Sequence, residues 1–577
     1  MEHSPSHKRT PDFFIWWRQV SVLIHSSCAN RTARTIVFRM ALTDVLDPAL
    51  ATFLSVPPNL SVRYRTPQDL ETLMMSWGER GAHIVQLGVS KEGRPIRCAV
   101  FGSGPRTLLA WGYPHPDEPI GAEALCWLGD SLLAEAIPGL VRWRIVLVLC
   151  ADPDEVARQM WLDGPRTLKT FVSGVWRPMK LDWMVDYGFP LDWGPFWQPT
   201  DFVGRCRTRR DCRVNCGDEG CRFAEWPPGP LPESLALAAA IDRFQPEVIA
   251  AMHSTHTGGD YTFLLEREPA NVLDDLTAIP TAAGTGRHFG EPLDRGRRWR
   301  RNSPDLIHEP DLAFFARRIR NTPWYDPSVV YHMNHSAACY IQARGSGSQF
   351  ICPETALFRH PDFSDTSLSS VETRVRIAVE ARPHGRYRVT RLRHNDEWVI
   401  AHQAKVDGSM PLTGSHELVV PATRGMLGVR ALLNRRAALV SADGIWARCQ
   451  KIPDQIWHPY ADERARIHVP GKFVHDHSML IFRARPDYCH QATVAQAATF
   501  AFQWPIQTAS LIGNMLTWLE AQNDSAPVIA LRHETRALID AQIAHLPAML
   551  QTEAPLGPAM VSALARILRV VQARGLF

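Results

Sequence analysis

The sequence predicts an α/β fold in which a mixed, twisted sheet is flanked by helices. Three observations predict it. Short apolar runs at 96–101, 107–111, 144–150 and 248–252 have the length of buried strands. Segments with helical spacing stand before and between them, at 66–75, 122–134 and 232–244. Two of the runs also end on histidine-bearing turns. Trp111 is followed by Gly112-Tyr113-Pro114-His115-Pro116-Asp117-Glu118, and Met252 by His253. Strands alternating with helices favour one sheet with helices on its faces.

Residues 1–40 read as a poorly ordered extension. Lys8 and Arg9 precede Phe13-Phe14-Ile15-Trp16-Trp17, but Arg18 and Gln19 break the run and no small-residue cleavage site follows. A signal peptide is therefore not expected, and Met1 and Met40 both stay open as the start. A catalytic domain is expected over 41–370. Within it, 56–90 reads as a helix and its approach. Thr66 is its N-cap, Pro67 suits the first helical position and Asp69 favours the positive end. The strand at 144–150 ends in a turn at Asp152-Pro153-Asp154. Residues 161–230 are irregular and rich in Trp, Pro and Gly, as a lid or functional surface would be. Further strands are expected at 261–265, 337–343 and 349–352. An Arg-rich insertion at 284–320 carries Arg297-Arg298-Trp299-Arg300-Arg301. Residues 371–485 form a mixed region of unassigned fold. Residues 486–577 read as helical, with apolar residues three and four apart at 529–550 and 561–573.

The bulk composition narrows the function classes. At 577 residues, 45% hydrophobic and 21% charged, the chain can bury a substantial core. A formal charge of +4 over this length gives no electrostatic reason to expect nucleic acid. Arg outnumbers Lys, as in GC-rich bacterial genomes. No apolar run reaches the roughly 20 residues a bilayer span needs, so no membrane partner is expected. Eight of the twelve cysteines are scattered, as reduced core thiols would be. With no secretion signal, a cytoplasmic location is expected. The other four, Cys206, Cys212, Cys216 and Cys221, have five, three and four residues between successive cysteines. That is not the paired C-x-x-C pattern, so a structural metal, partial disulfides and unbonded thiols all stay open.

The chemistry-bearing pattern is the His115-x-x-Glu118 pair with a distant His253. Two imidazoles and a carboxylate form an open three-ligand set for zinc, with the fourth position left to water or substrate. As a purely structural pair, His115 would be a turn residue and Glu118 a helix-start acid. Two strand ends that each deliver a ligand favour the metal. Asp117 reads as a partner or cap rather than a ligand, and His253 is preferred to His256 because it lies directly at a strand end. There is no G-x-x-x-x-G-K-[ST] loop, no H-E-x-x-H and no G-x-S-x-G, which removes the commonest rival hydrolases.

These residues resemble a zinc carboxypeptidase of the carboxypeptidase A-like class, including its amidase and acyl-amino-acid deacylase relatives. The resemblance is carried by Leu87-Gly88-Val89-Ser90-Lys91-Glu92-Gly93-Arg94-Pro95-Ile96, His115 with Glu118, Glu123-Ala124-Leu125 and Met252-His253-Ser254-Thr255. It covers residues 56–363 and implies an eight-stranded-type sheet with Zn2+ held by His115, Glu118 and His253. It also implies a late glutamate as general base, matched by Glu354 after the run Phe350-Ile351-Cys352-Pro353. The Asn-Arg pair that grips a substrate carboxylate in that family is missing from the expected window. Arg213 with Asn215 is the nearest approximation, and Arg222 is a second candidate. The family's substrate-facing tyrosine is matched by Tyr331 or Tyr340.

The resemblance implies a metallocarboxypeptidase that releases a C-terminal residue from a peptide. Two alternatives stay open. One is a deacylase or amidase of the same fold acting on an N-acylated amino acid. The other is a non-enzymatic anion-binding protein on a decayed hydrolase scaffold, using the Arg297–Arg301 run.

Overall fold

A computed structural model describes residues 41–178, 184–190, 230–287, 336–358 and 555–575 apart from short breaks. It also describes strands between 301 and 308 and between 374 and 421, and helical segments within 445–457 and 510–543. Residues 1–40, the cysteines from Cys206 to Cys221, Arg213, Asn215, Arg222, residues 297–300 and Tyr331 lie outside the described residues.

The expected mixed α/β sheet is present. Its strands are β1 (His83–Val89), β2 (Pro95–Phe101), β3 (Arg106–Trp111), β4 (Trp143–Val148), β5 (Val248–Ala251), β6 (Tyr261–Leu264), β7 (Arg301–Ser303), β8 (Leu306–His308) and β9 (Gln349–Glu354). They run in the order β1-β2-β4-β3-β5-β9-β6-β8-β7. The short β7 and β8 come from the Arg-rich insertion. The centre is parallel: β3 pairs with β4 and β5, and β5 with β9. The strands flanking that centre, β2 and β6, are antiparallel to it.

The helices are α1 (Pro48–Leu54), α2 (Pro67–Glu79), α3 (Ile120–Leu133), α4 (Pro153–Val156), α5 (Leu168–Gly174), α6 (Pro232–Phe244), α7 (Ala270–Ala282), α8 (Ala337–Arg344), α9 (Ala526–Ile543) and α10 (Leu556–Ala573). The strand period of two sorts the sheet between them. Leu108, Ala110, Ile145, Leu147, Val248 and Ala250 face α2, α3, α7 and α10. Leu109, Trp111, Val146, Val148, Ile249 and Ala251 face α6 and α8. Burial on both faces is why these strands read as unbroken apolar runs.

Local chemistry sets several element boundaries. Thr66 Oγ1 accepts from Asp69 N at 3.2 Å while Asp69 accepts from Thr66 N at 2.9 Å, a closed capping box. The Ser90–Arg94 turn joins β1 to β2, and Gly93 sits at φ 83, where a side chain would be strained. The turn docks on α4 through Ser90 Oγ and Glu92 N, which donate to Asp154 at 2.7 and 2.8 Å.

Two expectations need correction. Residues 337–343 are helix α8 rather than a strand. Ser336 Oγ accepts from Cys339 N at 3.3 Å, and Gly345 closes the helix at φ 60. A short apolar run does not distinguish strand from buried helix by pattern, and here the two caps decide. Residues 83–89 are edge strand β1 rather than part of a helix approach. A register shift between Gln86 and Gly88 blurs its alternation. The region of unassigned fold contains a five-stranded antiparallel sheet. Its strands are β10 (Arg374–Arg382), β11 (Arg386–His394), β12 (Glu397–Ile400), β13 (Lys405–Val406) and β14 (Ser415–Pro421).

By length and composition α10 could cross a membrane, but 78% of it is buried inside the fold. Its Arg566 is fully buried. The guanidinium donates to the carbonyls of Tyr261 and Glu354 and to the hydroxyls of Thr262 and Thr355, and it lies 3.5 Å from Asp260. Asp260 also accepts from Thr285 and Ser562. Removing one member of such a group leaves buried charge and carbonyls unpaired. Arg566→Leu is expected to lose roughly 3–5 kcal/mol of unfolding free energy, measured by denaturant titration against the unsubstituted chain.

Candidate metal centre

The centre is built at the carboxyl ends of three adjacent strands. Trp111, the last residue of β3, pairs with Ala251 at the end of β5, and Ala250 pairs with Ile351 of β9. Side chains just beyond these pairs therefore arrive at one height on one rim. His115 and Glu118 follow β3, His253 follows β5, and Glu354 is the last residue of β9.

The chain turns sharply after β3. Tyr113 is fully buried at φ 51, a left-handed conformation that is costly for a bulky side chain. Its hydroxyl donates to the carbonyl of Arg65 at 3.1 Å, and the Arg65 amide donates to Glu123 at 2.8 Å. Glu123 thus locks the turn from behind. At the start of α3, a Cβ on Gly121 would lie 2.5 Å from the Met252 carbonyl oxygen. Only glycine allows the helix start to approach the chain leading into His253.

His115, Glu118 and His253 are all buried. Their ligand atoms lie within 4.8 Å of one another. Glu118 bridges the imidazoles, with Oε1 2.8 Å from His115 Nδ1 and Oε2 2.9 Å from His253 Nδ1. The Ser254 amide donates to the same carboxylate at 3.1 Å. Glu354 Oε1 stands 4.0 Å from His253 Nδ1, beside the group rather than inside it. Cys352, two residues earlier on the same face of β9, forms a second group with His253 and Glu354.

The donor set fits a metal. Asp186 Oδ2 lies 2.7 Å from His253 Nε2, which fixes that nitrogen as the protonated one and leaves Nδ1 to ligate. Ligand atoms about 2.0–2.1 Å from a tetrahedral zinc lie about 3.3 Å apart. The bridging distances here are slightly shorter. His115 Nε2, Asp186 Oδ1 and Ser254 Oγ are buried around the group without hydrogen-bond partners.

Sequence reading missed two residues here. Arg177 NH1 lies 3.0 Å from Glu118 Oε1 and 3.2 Å from Asp117 Oδ1, and its NH2 lies 3.0 Å from His115 Nδ1. Asp186 is the partner of His253. Both come from the stretch read as irregular, where no periodicity marks them. The available signal was the buried Asp117-Glu118 pair, which needs a cation. Tyr340 lies on α8 and its hydroxyl donates to Asp242 at 2.9 Å, with Arg344 also bonded to it. The structure does not bring Tyr340 to the histidines.

Charge is balanced by neighbours. Burial pushes the Glu118 carboxyl up, but His115 and His253 hold it well below the usual carboxylate range. Burial also disfavours charge on His253, yet Cys352, Asp186 and Glu118 raise it well above the ordinary histidine value. Burial, reinforced by Arg177, lowers His115. Burial, opposed by His253 and reinforced by Glu118, lifts Glu354 to about 7. One imidazole is thus neutral and one charged. A cation entering the group takes over the role of the His253 proton.

No family model matches the sequence, and no curated protein matches it. The chain is similar to solved structures, among them ones described as a metallo-carboxypeptidase and as putative metallopeptidases. One is bovine thrombin-activatable fibrinolysis inhibitor in complex with tick carboxypeptidase inhibitor, at 13% identity and a TM-score of 0.29, covering 52% of this chain and 87% of that one. Another is a metallo-carboxypeptidase from Burkholderia cenocepacia, at 14% identity and a TM-score of 0.27, covering 50% of this chain and 60% of that one. The site described above stands on the geometry of the chain itself.

Asp186→Ala removes the group that orients His253. It is expected to weaken zinc binding by about 10- to 100-fold without unfolding the chain, as read by metal titration of the purified protein. Unchanged affinity would show that Asp186 does not support the ligand.

Proposed function

We propose that the chain is a zinc-dependent hydrolase that cleaves an amide bond. The observation that carries this reading is the convergence of His115, Glu118 and His253 on one rim, with the Glu354 carboxylate 4.0 Å from His253 Nδ1 and outside the ligand group. His115, Glu118 and His253 would hold the metal. When bound, zinc supplies Lewis-acid chemistry, lowering the pKa of water and polarising the scissile carbonyl.

The chain's own residues supply proton transfer and charge. Glu354 takes the proton of the attacking water and returns it to the leaving nitrogen. Burial and the neighbouring Glu118 lift this carboxyl to about 7 in the metal-free site, and a bound cation would draw it back towards the range of a base at neutral pH. Arg177 brings a guanidinium to the edge of the group. There it can bind the oxygen on which charge develops, at a point withdrawn from bulk water. Asp117 holds Arg177 ready for this, and Asp186 keeps His253 in the ligating tautomer.

The finer reading is a metallocarboxypeptidase that releases a C-terminal residue. Its carboxylate clamp would fall to Arg213, Asn215 or Arg222. The alternative, an N-acyl-amino-acid deacylase or amidase, needs no such clamp. It is favoured by the absence of an Asn-Arg pair from the sequence window before His253.

Purified protein is expected to bind close to one zinc per chain, and His115→Ala or Glu118→Ala should each lose it. Undiminished zinc in both variants would reject the ligand assignment. Glu354→Gln should keep the metal and lose about 10²- to 10⁴-fold in kcat, and retained turnover would reject Glu354 as base. Peptides with free and amidated C-termini, assayed beside N-acylated amino acids, separate the two substrate readings.

A further inference from the structure

Arg177 owes its place to a part of the chain that lies more than three hundred residues further on. It follows Val175 and Trp176, which are both fully buried. Two sets of contacts hold these residues. The first is local. Gln159 Oε1 accepts from the Trp176 amide at 2.9 Å, while Gln159 Nε2 donates to the Trp176 carbonyl. The Trp176 indole N–H donates to Glu155. One side-chain amide thus replaces a neighbouring strand.

The second set is remote. Asn514 is buried within helical residues 512–521, and its Nδ2 donates to the Val175 carbonyl at 2.8 Å. The Trp518 ring stands 5.1 Å from the Trp176 ring. Trp176 is also the member of the early chain that joins a separate apolar cluster of Ile445, Cys449, Ile512, Met515, Leu516 and their neighbours. The cluster thus holds Trp176, and Asn514 holds Val175, the two residues immediately before the arginine that reaches Glu118 and His115.

We infer that Asn514 and Trp518 are positioning residues for Arg177, so that the helical region beyond residue 445 completes the hydrolytic site. The inference rests on the role of Arg177 proposed above. The physical argument is specific. Glu118 and Asp117 attract the guanidinium but do not fix the backbone from which it projects. The Val175 carbonyl is buried, so without Asn514 it has no water to accept from and the segment must shift to satisfy it. A small shift of the backbone carries a long side chain off its target, and misplacement of about 1 Å can cost about 10²-fold in rate. A loosened Arg177 also presses less firmly on His115 Nδ1 and Glu118 Oε1. A second cation is then less strongly opposed there.

The test is a double-mutant cycle on the full-length protein with Asn514→Leu and Arg177→Ala, read in two ways. Zinc affinity of the metal-free protein is one readout, and kcat and KM of the zinc-loaded protein are the other. Asn514→Leu is expected to tighten zinc binding several-fold and to lower kcat by about 10- to 100-fold with KM little changed. In the Arg177→Ala background it should do neither. An equal shift in both backgrounds, or wild-type zinc affinity in the single variant, overturns the inference. If no substrate is turned over but the zinc shift still requires Arg177, the positioning role stands and the hydrolytic reading falls. Asn514→Ala replaces Asn514→Leu should the latter not yield a folded chain, and Asn514→Gln, which keeps an amide donor, should recover part of the effect.

Discussion

The site depends on the parallel register of β3, β5 and β9. A backbone ladder fixes the relative height of neighbouring strands, so residues placed just past their ends meet without any direct attraction between them. Trp111 against Ala251 and Ala250 against Ile351 set that height. His115, His253 and Glu354 then need only short excursions to converge. Open α/β sheets present ligands at the carboxyl ends of their strands for the same reason.

What the register does not supply is charge balance. Asp117, Glu118, Asp186 and Glu354 carry four carboxyl groups into a buried rim. Two charges 4 Å apart interact by about 4 kcal/mol at an effective dielectric near 20, so the four cannot all ionise together unaided. Arg177 and a charged His253 offset them, and the raised pKa of Glu354 relieves the remainder. The rim is a set of anions waiting for positive charge. A divalent metal is the most compact way to provide it.

The sequence disclosed what is local and concealed what is not. His115 and Glu118 were legible because the spacing and the preceding strand lie within a dozen residues. His253 was legible because it follows an apolar run, so a strand end could be read without knowing its neighbours, whereas Glu354 was singled out through the family resemblance. The caps of α2 were legible for the same reason. Arg177 and Asp186 were not. Each sits in aperiodic sequence, and its partner lies about sixty residues away in the case of Arg177 and Glu118. α8 was misread because eight residues hold too few periods to separate the strand pattern from the helical one. Arg566 was hidden differently. On an amphipathic reading of α10 an arginine marks the wet face, whereas here it is fully buried against Asp260 and the backbone of β6 and β9.

Two arginines near the rim depend on distant parts of the chain in a way that the motif does not reveal. Asp117, Glu118 and Glu354 come from strand ends and Asp186 from a short helical turn, all before residue 355. Of the positive groups near them, His253 is itself at a strand end, whereas Arg177 follows a residue that Asn514 holds and Arg566 sits on α10. Arg566 binds the Glu354 carbonyl, so the same helix that closes the hydrophobic core also braces the strand end that carries the carboxylate. A chain that folded only its sheet would gather the acids with His253 alone to oppose them, and repulsion among them would spread the rim. Burial of α10 and of the Trp176 cluster therefore does more than add apolar area. It supports the strand end and the guanidinium at the rim, which couples α10 to a motif more than four hundred residues before it.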